Sequence, residues 1–207
     1  MDRLTSFLQG EMSRTSRILV VVAALAILPA LFLPVWRITL EAPQYPDGLD
    51  MVIYPNTVGG DLHEVNILNH YIGMQHISAD EFPEFKLLPF FILRFLAFAV
   101  LAALVGRMPI AAIGYIDFVM FGIVMLFDFQ GWLAAYGTNL SPDAPITMAP
   151  FVPKFLGTTQ VANFTVISRP AIGAILMGLA GLMGPIALAY DWIRFRKQPA
   201  TETAPAA

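Results

Sequence analysis

Four apolar stretches, at 18–36, 87–105, 109–129 and 170–192, constrain this chain more than any other feature. Each has about the 20 residues that a helix needs to cross the hydrocarbon core of a bilayer. Composition agrees with that reading. Of 207 residues, 57% are hydrophobic and 13% charged, so charge is about half of the ~25% usual in soluble domains. A water-soluble domain and a disordered chain are both excluded. The net charge of −3 leaves no basic footprint for nucleic acid. Cysteine is absent, which removes disulfides, iron–sulfur clusters and thiolate zinc sites together.

The expected fold is an all-α transmembrane bundle of four helices with a small β-containing extracytoplasmic cap. The second and third spans are joined only by Gly106, Arg107 and Met108, which makes them a tight helical hairpin. Lys and Arg near the span ends set the orientation. Arg3, Arg14, Arg17, Arg107, Arg194, Arg196 and Lys197 fall on one side, against Arg37, Lys86, Arg94, Lys154 and Arg169 on the other. Both termini are therefore expected in the cytoplasm. The segments 1–17 and 193–207 are then cytoplasmic, the latter a flexible tail, and the loops 37–86 and 130–169 lie outside. The first span has no A-x-A-like cleavage site after it, so it reads as an uncleaved anchor. Pro29 and Pro34 imply a bend near its outer end.

The first loop alternates in strand fashion over Arg37–Glu41, turns through 42–48 and resumes a strand-like run at 49–54. Asp61 is placed to cap a helix reaching about Tyr71 or Met74, with Glu64 in its first turn. The second loop is set with prolines at 142, 145, 150 and 153 yet carries Met148, Phe151, Val152, Phe155 and Leu156. Such a loop is expected to pack on the first loop or on the lipid surface. Asn139-Leu-Ser and Asn163-Phe-Thr match the glycosylation triplet, a common chance pattern to which no role is assigned.

Chemistry concentrates in the first loop. His63, His70 and His76 are the three histidines of the chain, with Met74 between the last two. On one continuous helix His70 and Met74 share a face, whereas His63 lies about 10.5 Å from His70 along the axis. A compact metal site would use His70 and Met74, with His76 brought back by a turn at Gly73. Imidazole and thioether without thiolate suit copper, Cu(I) above all, and Met51 and Met148 are further thioethers on the same side. The plainer alternative is that His70 and Asn69 hydrogen-bond the loop together while Met74 fills a gap; a proton-responsive histidine cluster is the third.

The second and third predicted spans carry the ionisable residues Arg94, Asp117 and Asp128. The expectation is an Arg94–Asp128 ion pair near the outer surface, with Asp117 lacking a basic partner and hydrogen-bonded to Tyr115 or to backbone. Asp117 could be structural, a proton relay or a partner contact. In the fourth span Ala174-x-x-x-Gly178 is a small-residue motif able to seat a neighbouring helix of the same chain or of another subunit, giving a homo- or hetero-oligomer. Gly-x-Ser-x-Gly, Walker, His-Glu-x-x-His and dinucleotide signatures are absent, and the chain reads as a non-enzyme.

Two strings, Leu40-Glu-Ala-Pro-Gln-Tyr-Pro-Asp-Gly-Leu49 and Val65-Asn-Ile-Leu-Asn-His-Tyr-Ile-Gly-Met74, resemble the signature of small bacterial polytopic membrane proteins. These accompany copper-dependent respiratory systems, notably nitrous-oxide reductase maturation. The stretches Phe151-Val-Pro to Gly157 and Asn163-Phe-Thr are similar as well. The resemblance implies a setting rather than a reaction: an accessory protein of the bacterial inner membrane for copper handling or assembly of a periplasmic copper enzyme, with His76, His63 and Met148 as candidate helper ligands. His70 and Met74 are its motif positions, while His63 and His76 lie outside it. The alternative is an anchoring subunit of a respiratory complex that docks a periplasmic redox partner.

Overall fold

The computed structural model describes residues 3–161 and 163–197. Four of its helices are long and apolar enough to cross a bilayer, as expected, but the molecule is not an all-α bundle. It is an α+β protein in which a five-stranded antiparallel sheet, ordered β3-β2-β1-β5-β4, closes one end of the helices. The strands are β1 (Trp36–Ala42), β2 (Tyr45–Tyr54), β3 (Thr57–Gly60), β4 (Gly157–Val161) and β5 (Phe164–Pro170). Three come from the first loop and two from the second. The prolines of the second loop end at Pro153, and after them Thr158, Thr159, Val161, Thr165, Val166 and Ile167 supply the β-branched residues that favour a pleated hairpin.

The helices are α1 (Arg3–Leu8), α2 (Arg14–Ile27), α3 (Leu62–Ile72), α4 (Glu84–Val105), α5 (Met108–Thr138) and α6 (Ile172–Lys197). The first span is shorter and earlier than 18–36. Ser13 caps α2, its Oγ accepting from Ser16 N–H at 3.2 Å. At the other end Pro29, lacking an N–H, turns the chain into a short 3-10 helix over Leu28–Leu31. Trp36 therefore opens a strand rather than closing a span.

The sheet ties the first and last spans together. β1 follows α2, β5 leads into α6, and the two strands pair from Trp36↔Pro170 to Glu41↔Thr165. The ladder runs on into the helix, with Ala171 N–H donating to Val35 O and Gly173 N–H to Pro34 O. A side chain at Gly173 would meet Pro34 O at 2.8 Å, so part of the small-residue face of α6 is used inside the chain. On the sheet, Asp50 accepts from Arg37 at 2.8 Å and from Thr39 at 2.6 Å. Asp61 occupies the N-cap position of α3, but its carboxylate accepts from Asp50 N–H instead of capping. The opposite end of the bundle is closed by Phe7 edge-on to Trp192 and by Met12 N–H donating to Gly106 O.

α5 is the long element. At about 1.5 Å per residue its 31 residues reach ~46 Å, well past a ~30 Å hydrocarbon core. Residues 130–138, expected as loop, are its last turns. They carry Trp132 and Tyr136 into a core shared with Leu49, Val58, Val65, Leu68 and Ile77. α6 likewise runs on to Lys197, past the expected end at 192; the remainder of the expected flexible tail lies outside the described residues.

Candidate functional site: a chamber between sheet and spans

The histidine segment is built around asparagines. Gly73, left-handed at φ 81°, ends α3. Asn66 then clamps the returning chain through Ile77, donating to its O at 2.9 Å and accepting from its N–H at 2.7 Å. Asn69, 2% exposed, donates to Gln75 O. The two expected copper ligands are therefore not on one continuous helix. Met74 is no longer on the helix and packs against the core beneath α3, while His70 is exposed beside Tyr71. His63 and His76 are also exposed. Met51 packs on the same core as Met74. Among the described residues no group of three or more His, Asp or Glu is placed to hold a metal ion.

The intramembrane charges pair differently from the expectation. Arg94 donates to Asp117 at 2.8 Å, not to Asp128. Counting from the turn gives the reason: Arg94 lies twelve residues before Gly106 and Asp117 eleven after it, so the two are level in an antiparallel hairpin. Asp128 is level instead with Glu84 at the start of α4, each lying twenty-two residues from Gly106. Among the described residues Asp128 has no ion-pair partner. The Arg94 guanidinium also lies over the rings of Phe91 and Phe95, at 4.5 and 5.4 Å.

Between the sheet, α3 and the facing halves of α4, α5 and α6 lies a partly open chamber of about 510 Å³. That falls inside the ~300–1,000 Å³ of small-molecule sites. Its wall is almost wholly apolar: Trp36 and Ile53 of the sheet, Leu68 of α3, Phe95 of α4, Phe121 and Met125 of α5, and Met177 of α6. Two glycines, Gly122 and Gly178, line it with open space where a Cβ would stand. Most polar wall groups are satisfied within the protein. Trp36 Nε1 donates to Ser168 Oγ at 2.8 Å, Ser168 Oγ to Phe155 O at 2.7 Å, and the Tyr136 hydroxyl to His76 O at 3.2 Å. Glu84 and Asp128 are the exceptions. Both line the chamber, and Glu84 Oε2 is buried with no hydrogen-bond partner. No sequence pattern announces this site, because its wall is drawn from elements as far apart as β1 and α6. The one available signal was a pair of acids, Glu84 and Asp128, each at the sheet end of an apolar run.

No protein-family model and no curated protein matches the chain.

Proposed function

We propose that this is a non-enzymatic membrane protein that holds an apolar, lipid-class molecule in the chamber between its sheet and its spans. The chamber carries the reading. Its walls come from membrane-crossing helices on one side and a sheet on the other, and an apolar guest of the size it admits gains dispersion contacts with both. The sheet end is taken to face the periplasm. With Arg94 spent inside the bundle, seven Lys and Arg at the terminal end stand against Arg37, Lys86, Lys154 and Arg169 at the sheet end. The apolar wall supports an accessory role, since among the described residues lining it no nucleophile, base and orienting group are assembled. A second reading, copper handling for a periplasmic enzyme, draws on the exposure of His63, His70 and His76 on the same end of the molecule.

The test fills the chamber. Gly122→Leu/Gly178→Leu places two side chains in open space on helical backbone, where leucine is the better helix former. The purified protein, in nonionic detergent, is titrated with a pyrene-labelled acyl chain, read by energy transfer from tryptophan; Trp36 and Trp132 both line the chamber. Saturable binding that weakens at least about tenfold in the filled variant, about 1.4 kcal/mol, supports the reading. Equal affinity in a variant with unchanged helix content overturns it.

A further inference from the structure

The chamber is not uniformly apolar, and its two unpaired acids lie at one level. Glu84 opens α4, and Asp128 lies twenty-two residues past the turn at Gly106. α4 has 22 residues, about 33 Å of helix, so both acids sit where the sheet end of the bundle leaves a ~30 Å hydrocarbon core. Below them the wall is Ile92, Phe95, Phe118 and Phe121; beside them are Trp36 and Trp132. A guest lying in this space has its chain among the phenylalanines and one end between two carboxylates.

Those carboxylates accept hydrogen bonds and donate none when ionised. Among the described residues no Lys or Arg pairs with either, and Glu84 Oε2 is buried with no partner. The dipole of α4 favours negative charge in its first turn, where Glu84 stands. Donors are therefore what the wall lacks. We infer that the chamber selects amphiphiles by their polar end, taking a head that carries an ammonium or hydroxyl donor between Glu84 and Asp128 and rejecting an anionic head. This rests on the lipid-class reading above and adds the recognition chemistry to it. An ammonium head satisfies both acids with charge-assisted bonds; a hydroxyl satisfies one of them; a carboxylate or phosphate presented to the pair meets like charge.

Three probes with one chain and different heads separate the possibilities: hexadecylamine, hexadecanol and hexadecanoate, each titrated into the full-length protein in nonionic detergent and counted by native mass spectrometry. The expected order is amine, then alcohol, then acid, with at least about tenfold between the amine and the acid, since unlike and like charges at ~4 Å differ by several kcal/mol even at an effective dielectric of about 20. In Glu84→Gln/Asp128→Asn the three should bind within about threefold of one another, and Glu84→Gln alone should narrow the gap should the double variant misfold. If hexadecanoate binds as tightly as hexadecylamine to the native protein, or the order survives in both variants, the head assignment is overturned while the chamber reading stands. If none of the three binds, the chamber reading itself falls.

Discussion

Arg94 and Asp117 offer the sharpest test of the bundle's energetics. Arg94 is the eleventh of the 22 residues of α4, which places the pair near mid-membrane. Their single contact is 2.8 Å, and both Arg94 Nε and Asp117 Oδ2 are buried without partners, so the pair is joined through one bond rather than two. A charged side chain at the helix centre costs roughly 2.5–3.5 kcal/mol on insertion scales. At ~4 Å and an effective dielectric of about 20, a partner returns about 4 kcal/mol. Removing one partner forfeits that attraction and keeps the other's cost.

The two halves should not be equivalent. In Asp117→Leu the guanidinium still has the faces of Phe91 and Phe95, a contact of about 1–2 kcal/mol when desolvated, so a loss of about 2–3 kcal/mol is expected. Arg94→Leu leaves Asp117 with no cation among the described residues and should cost about 3–5 kcal/mol. The double variant replaces an incompletely satisfied pair by apolar side chains in an apolar setting, and should return to within about 1 kcal/mol of the native protein. Equilibrium unfolding in mixed micelles, with dodecyl sulfate as denaturant and tryptophan emission as signal, measures all four corners of the cycle. Additive losses, with the double variant worse than either single one, would refute the argument by showing that the two charges do not rely on each other.

At Gly73 the backbone is left-handed at φ 81°, and an added Cβ would lie 2.9 Å from Ala144 Cβ and from Ser141 O. Gly73→Ala should cost about 1–3 kcal/mol and speed hydrogen exchange over 141–146, whereas Gly59→Ala, with nothing within 4 Å, should change stability by less than about 1 kcal/mol. For the copper reading, titration of the purified protein should give binding that His63→Ala/His70→Ala/His76→Ala abolishes and Met74→Leu leaves intact, because Met74 is turned into the core; absence of binding to the native protein, or loss in Met74→Leu, would refute this assignment.

The features legible from the chain alone were those set by neighbours in sequence. The four spans follow from apolar runs, and the hairpin from three residues at Gly106. The strands near 37–41 and 49–54 follow from alternation, and α3 starts where Asp61 implies. The expectation of an all-α bundle failed because half of the sheet's central pairing joins residues more than a hundred positions apart. Trp36 and Pro170 have no local signal of each other. Nor did four prolines early in the second loop foretell the hairpin that follows them. The Arg94–Asp128 pairing failed for a different reason: depth in a hairpin must be counted from the turn, and by that count Asp128 belongs with Glu84. Gly73 ends the helix between His70 and Met74, so the helical spacing that put them on one face does not apply.

One consequence of this architecture explains why a chamber exists at all. The sheet binds α2 and α6 through β1 and β5, and those two helices pack along their length, with Ala24, Ile27, Ala180 and Ala187 buried. α5 has no such strand. Its buried residues are Met108 at one end and Tyr136 and Gly137 at the other. At that far end Phe151 N–H donates to Gly137 O at 2.9 Å, and a Cβ on Gly137 would run into Phe151 O. Between those ends α5 meets α4 at mid-helix, where Asp117 pairs with Arg94 and the rings of Phe118 and Phe121 lie against Phe95; from Gly122 to Trp132, nearer the sheet, it lines the chamber. Small residues keep the gap open on both sides, Gly122 on α5 and Gly178 on α6. The space thus lies between these mid-helix contacts and the sheet that ties α2 to α6, with Glu84 and Asp128 in its wall.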